Sequence, residues 1–289
     1  MNALRAFLWI LLVSISSTLT ALSDEGDHGD SSVDFVPHGL LFRPLLANTY
    51  EPRVGLLSQF GKNRLRLDIG NSIDLLEYKT AEDGSRVSMG ADFFTYTLLR
   101  GERDFHFPVD ASDYFFGINF NYKSSKQFGL ISSRLRISHI SAHFVDGHYD
   151  NTKGEWKDSQ YPIVYSREFV DAVLACQPAL LDDALRGYLG ATYLFHVDPS
   201  SVPPFMAYAG IEWHMLWSKN ANSYVSFQST LMKITEFGLR HNLQVGVKIG
   251  DWNGRGINLF ANYFSGFSIH GEYFDLKENY FGLGFLIDF

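Results

Sequence analysis

Hydrophobic and polar residues alternate along most of the chain after Arg53. The clearest stretch is Phe237–Ile249. Leu239, Leu243, Val245, Val247 and Ile249 share one parity, while Arg240, Asn242, Gln244 and Lys248 share the other. Strand side chains point to opposite faces with period 2, so this segment predicts a strand with one apolar and one polar face. In Phe128–Val145, Ser132, Arg134, Arg136 and Ser138 oppose Ile131, Leu135 and Ile137. Leu65, Leu67, Ile69 and Ile73 oppose Arg64, Arg66, Asp68 and Asp74; Val87, Met89, Ala91 and Phe93 oppose Arg86, Ser88 and Asp92. Tyr114, Phe116, Ile118 and Phe120 oppose Asp113, Asn119 and Asn121; Ala207, Ala209, Ile211, Trp213 and Met215 oppose Tyr208, Glu212 and His214. Further strands are predicted at Val54–Phe60, Ile163–Ala175, Leu185–Val197, Tyr224–Ile234, Ile257–Ser265 and Tyr280–Phe289, which makes about twelve in all.

A soluble sandwich would bury the apolar face. Here the apolar set is rich in aromatic residues, and most segments reach about ten residues, enough to cross a bilayer at a tilt near 45°. An even number of such strands predicts an all-β fold, a transmembrane antiparallel β-barrel with apolar faces toward lipid and polar faces toward a lumen. The last strand supports this independently. Phe281, Leu283, Phe285, Ile287 and the terminal Phe289 share one face, a pattern that resembles the assembly signal of bacterial outer-membrane proteins. It implies the barrel assembly machinery as a partner. Connection lengths give an orientation. Gly101–Ala111, Asp146–Tyr161 and Gly266–Lys277 are long, whereas Ala81–Gly84, Lys123–Lys126 and Lys219–Ala221 are short. Long loops outside and short turns inside put the first residue of the barrel in the periplasm.

Composition fits this picture. Charged residues make up 19% of the chain, below the roughly 25% of soluble domains. The net charge of −8 offers no basic face to nucleic acid. Cys176 is the only cysteine, so neither an internal disulfide nor a cysteine ligand cluster can form. Residues 1–23 read as a signal peptide: Arg5, the apolar run Ala6–Val13, and the small-x-small site Ala21-Leu22-Ser23. That run is too short to span a bilayer as a helix. Residues 24–52 form an acidic and extended N-terminal segment, in which Pro44 and Pro52 favour an irregular path. Its part FRPLLANTYEPR (42–53) is expected at the periplasmic mouth or inside the barrel. The barrel domain is 53–289.

One strand end carries candidate chemistry. His139, Ser141 and His143 continue the outward parity of Ile137. Alternate residues of a strand are about 6–7 Å apart, close enough for an imidazole to turn onto a hydroxyl. A base beside a hydroxyl is the minimum for an activated serine nucleophile. An orienting acid would come from the next strand or the loop, with Glu168 and Asp146 as candidates. The candidate catalytic set is therefore His139, Ser141 and Glu168. No cofactor is called for. The oxyanion donors are unassigned, a backbone NH or a loop-bound cation such as calcium near Asp146 being options. Arg134, Arg136, Arg64, Arg66, Arg86, Asp68, Asp92 and Asp113 are expected to form a lumenal charge network.

The His-x-Ser spacing on an outer barrel wall resembles outer-membrane phospholipase A and the lipid A deacylases. In the phospholipase, a polar residue on a neighbouring strand orients the His; Ala142 stands where that enzyme has an Asn after the Ser. FRPLLANTYEPR (42–53), SHISAHFVDGHYD (138–150), VYSREF (164–169) and FSIHGEYF (267–274) resemble an uncharacterised outer-membrane family, domain of unknown function 1207, known mainly from chlamydia-like bacteria. That resemblance implies fold and location, and no activity. The expectation is a monomeric or weakly homodimeric barrel in the bacterial outer membrane, with lipids as partners. Three roles are open: a structural or small-solute transport barrel, an integral lipid or acyl-ester hydrolase, and a surface adhesin working through Tyr149, Trp156 and Tyr161.

Overall fold

The computed structural model describes residues 31–181 and 184–289. The predicted signal segment, and residues 24–30 of the acidic stretch after it, lie outside the described residues. The chain forms twelve barrel strands: β1 (Val54–Gln59), β2 (Arg64–Lys79), β3 (Arg86–Arg100), β4 (Val109–Lys126), β5 (Gly129–Phe144) and β6 (Tyr165–Pro178). They continue with β7 (Leu185–Asp198), β8 (Phe205–Ser218), β9 (Ala221–Lys233), β10 (Phe237–Gly250), β11 (Gly256–Phe267) and β12 (Lys277–Asp288). Consecutive strands pair antiparallel, and β12 closes on β1 in the register Ile287–Val54 to Gly282–Gln59. Closure removes the unpaired edges that lipid cannot satisfy.

The faces follow the sequence parity. On β10, Val245 is 47% exposed on the outer wall and Gln244 is 1% exposed inside. β6 starts at Tyr165 rather than at Ile163. The Ile163 amide is diverted to the Glu272 carboxylate, 3.1 Å away.

The lumen is filled, and not only by polar groups. Toward the end with the long loops, inward positions carry Phe94, Tyr96, Phe115, Ile140, Phe169 and Leu194, packed as one apolar cluster. Alternation could not mark these residues, because their outward neighbours Phe93, Phe116 and His139 are aromatic too.

From the short-turn end, Ser32–Phe35 first pairs with Leu76–Lys79 of β2. Residues 40–53 then run into the lumen, so the extended segment belongs to the barrel core from about Leu40 onward. Phe42 lies between the guanidinium groups of Arg134 and Arg186, each 4.6 Å from its ring centroid. The Leu41 amide donates to Asp74 (2.7 Å) and the Leu46 amide to Glu212 (2.7 Å). Glu51, fully buried, accepts from Arg134 through both oxygens (2.6 and 3.0 Å) and from Arg136 (2.8 Å). Arg53 donates to the Asn48 carbonyl (2.7 Å) and holds the plug in its turn.

From the long-loop end, residues 268–276 fold inward. Asp113 of β4 accepts from His270 Nδ1 (2.8 Å) and from the Gly271 amide (2.7 Å). Glu272 accepts the Phe144 and Ile163 amides; burial pushes its carboxyl above the ordinary value, with the two donors pulling the other way. Arg240 ties the two inserts together, donating to the carbonyls of Phe267 and Ser268 (2.9 Å each) and to Tyr50 Oη (3.3 Å).

The expected single charge network resolves into separate groups. Arg66 pairs with Asp68, Arg86 with Glu77, Arg64 with Glu278, and Arg136 with Asp92 at 3.0 Å as well as with Glu51. Asp113 is taken by His270.

Candidate functional site

β5 holds 16 residues, more than the 9–11 needed to cross a bilayer. His139 and Ser141 fall in its last third, toward the long-loop end. Their side chains point to the outer wall, since Ser138, Ile140 and Ala142, which alternate with them, are buried inside. β6 runs beside β5 in the register His139–Glu168 and Ser141–Ser166. Glu168 keeps the outward parity of Val170, and its side chain is not turned inward by a bulge.

This register makes the contact. His139 Nδ1 lies 2.6 Å from Glu168 Oε1. The two side chains are only 24% and 29% exposed. A carboxylate on a lipid-facing wall is costly unless paired, and Glu168 is held from three sides. Ser166 Oγ donates to Oε1 (3.3 Å), and His196 Nδ1 contacts Oε2 from β7.

His196 was not anticipated. Strict alternation along β7 puts Tyr193 and Phe195 outside and His196 inside. A bulge between Leu194 and His196 adds one residue opposite β6, so Phe195 and His196 both reach the outer wall and His196 aligns with Glu168. Only the adjacency of Phe195 and His196 to an Asp-Pro turn hinted that the strand ends irregularly.

The geometry fixes an order along the wall: Ser141, His139, Glu168, His196. With Nδ1 donating to Glu168, the imidazole presents Nε2 as a basic nitrogen on its other side. Phe116 packs on the His139 ring at 4.8 Å and Tyr114 sits opposite Ser141. Ser141 Oγ makes no hydrogen bond with His139 among the described residues. Asp146, the second candidate acid, lies in an exposed turn beyond the strand and takes no part in the cluster. Among the described residues, no group of three or more His, Cys, Asp or Glu is disposed to hold a metal ion.

The loop candidates for adhesion are divided. Trp156 packs toward His148 and Phe144 under the loop, while Tyr161 is exposed.

Residues 31–289 match the model of a family described as "Protein of unknown function (DUF1207)". The chain belongs to this family. No curated protein sequence is significantly similar to it. Among solved structures it is similar to outer membrane phospholipase A from Escherichia coli, with 9% identity and a TM-score of 0.51 over 83% of this chain and 93% of that one. An active-site mutant of that enzyme gives 11% identity and a TM-score of 0.51 over 87% and 94%. The Salmonella typhi phospholipase, a dimer with bound calcium, gives 9% and 0.50 over 83% and 91%. At these identities the likeness is one of fold: a closed twelve-stranded barrel of the outer-membrane type.

Proposed function

We propose that this DUF1207 member is an integral acyl-ester hydrolase of the bacterial outer membrane, acting on lipids that reach the outer wall of the barrel after residues 1–23 are removed. The observation that carries this reading is the 2.6 Å contact between His139 Nδ1 and Glu168 Oε1, two residues from an outward serine. It supplies the base–orienter half of a Ser–His–acid arrangement.

In the proposed reaction, Ser141 Oγ attacks the ester carbonyl while His139 Nε2 takes the hydroxyl proton. The acyl carbon–oxygen bond then breaks, and His139 returns the proton to the departing alcohol. Water attacks the acyl-enzyme by the same route, with His139 again as base, and releases the fatty acid. Glu168 does not touch substrate. It positions the imidazole and balances the imidazolium that forms. The Ser141–His139 contact closes with substrate bound, as catalytic hydrogen bonds often do.

A passive pore is poorly supported, because the plug and the inturned loop occupy the lumen. Trp156, packed under its loop, leaves Tyr161 as the exposed aromatic among the three residues the adhesin reading uses.

Refolded protein in mixed detergent–phospholipid micelles should release fatty acid, and Ser141→Ala should lower the rate about 10³-fold or more with the barrel intact. Equal rates in the two proteins would remove the hydrolase reading.

A further inference from the structure

Beside the plug residues Asn48–Tyr50 the lumen holds a cavity of about 40 Å³. Its apolar side is the cluster of Phe115, Ile140 and Phe169 described above. Its polar side includes Arg167, Arg240 and Asp171. Both arginines are buried, yet among the described residues neither has a carboxylate within ion-pair distance. Arg240 donates only to the two carbonyls and the Tyr50 hydroxyl. The Arg167 side chain makes no hydrogen bond among the described residues; its guanidinium lies 4.5 Å over the Tyr165 ring, and its Nε is buried without a partner.

Charge around the cavity is therefore unbalanced. Arg136, the third guanidinium lining it, is already matched by Glu51 and Asp92. Asp171 is the single carboxylate in the lining, and its oxygens accept from Thr192 (2.8 Å) and Tyr208 (3.0 and 3.1 Å). Two buried cations that face one carboxylate, neither within ion-pair distance of it, are costly. A guanidinium offers a planar fork of donors that suits an oxyanion. A water-sized atom needs roughly 10–15 Å³ by this measure of volume, so the cavity takes about three or four such atoms.

We infer that Arg167 and Arg240 hold a small oxyanion, of nitrate to phosphate size, in the lumen between the plug and the barrel wall. The site is separate from the Ser141 wall, since Arg167 faces inward where its neighbour Glu168 faces outward.

The test uses the refolded full chain in detergent, titrated with inorganic phosphate and, separately, sodium nitrate, against sodium isethionate at equal ionic strength. At least one of the two should raise Tm saturably, by roughly 5 °C or more at a hundredfold excess over Kd. Arg167→Gln should abolish that dependence, and Arg167→Lys should retain part of it. Crystals soaked in selenate should show an anomalous peak within hydrogen-bond distance of both guanidinium groups, a readout that needs no variant to fold. A Tm indifferent to both anions in the wild type would overturn the site. So would an equal effect in Arg167→Gln, or, where phosphate raises Tm, selenate absent from the cavity.

Discussion

Glu51 is the side chain on which the plug depends most, and its replacement tests the filled-lumen architecture. It sits at 0% exposure and accepts three charge-assisted hydrogen bonds, two from Arg134 and one from Arg136. In Glu51→Gln the amide can accept from one guanidinium but cannot offset two charges. Arg136 keeps Asp92 at 3.0 Å; Arg134 loses its only ion-pair partner among the described residues. Breaking a buried pair by removing one partner costs about 3–5 kcal/mol. The retained Asp92 contact and remaining amide acceptor place Glu51→Gln near 3 kcal/mol, with Glu51→Ala nearer 5. The comparison is Glu236→Gln, which removes a pair with Lys277 whose side chains are 64% and 57% exposed; there the unfolding midpoint should stay put. Guanidinium unfolding of the refolded barrel in detergent, followed by tryptophan fluorescence and by heat-dependent gel mobility, reads the difference. If Glu51→Gln and Glu236→Gln unfold at the same midpoint, the plug is not held in the lumen by this charge cluster.

On the outer wall, Val245→Arg should destabilise the barrel by roughly 2–4 kcal/mol while Val245→Leu stays near wild type; equal midpoints for the two would sink the lipid-facing assignment. His196→Ala should lower kcat for ester hydrolysis roughly ten- to a hundredfold, with KM little changed and the rate–pH profile displaced, because Glu168 loses one of its holds. An unchanged profile would show that His196 does not position the acid.

Much of this was readable in the sequence, and the reasons differ by residue. On β10 one face is uniformly apolar and the other polar, so parity alone assigned Val245 outward and Gln244 inward. Parity also put His139, Ser141 and Glu168 outward. It could not show that His139 and Glu168 meet, because the β5–β6 register is set across the loop 145–164, where no periodicity survives. His196 was hidden by the bulge at Phe195, which shifts parity by one residue without a sequence mark of its own. Glu51 lay in a segment bounded by Pro44 and Pro52 with no period to read, so its ion pairs appear only once the plug is placed. Phe94 and Phe115 were missed for the opposite reason. Where both faces of a strand are aromatic, alternation carries no signal, and only the closed barrel separates lipid from lumen.

In the proposed reaction Ser141 is a nucleophile activated by His139. A long-chain sulfonyl fluoride, which reacts with activated serines, tests it most directly when the refolded protein is digested and its peptides are weighed. A single adduct on Ser141 is expected in the wild type, slowed sharply in Glu168→Gln and absent in His139→Ala. No adduct on Ser141, or one that forms equally fast in His139→Ala, would contradict it.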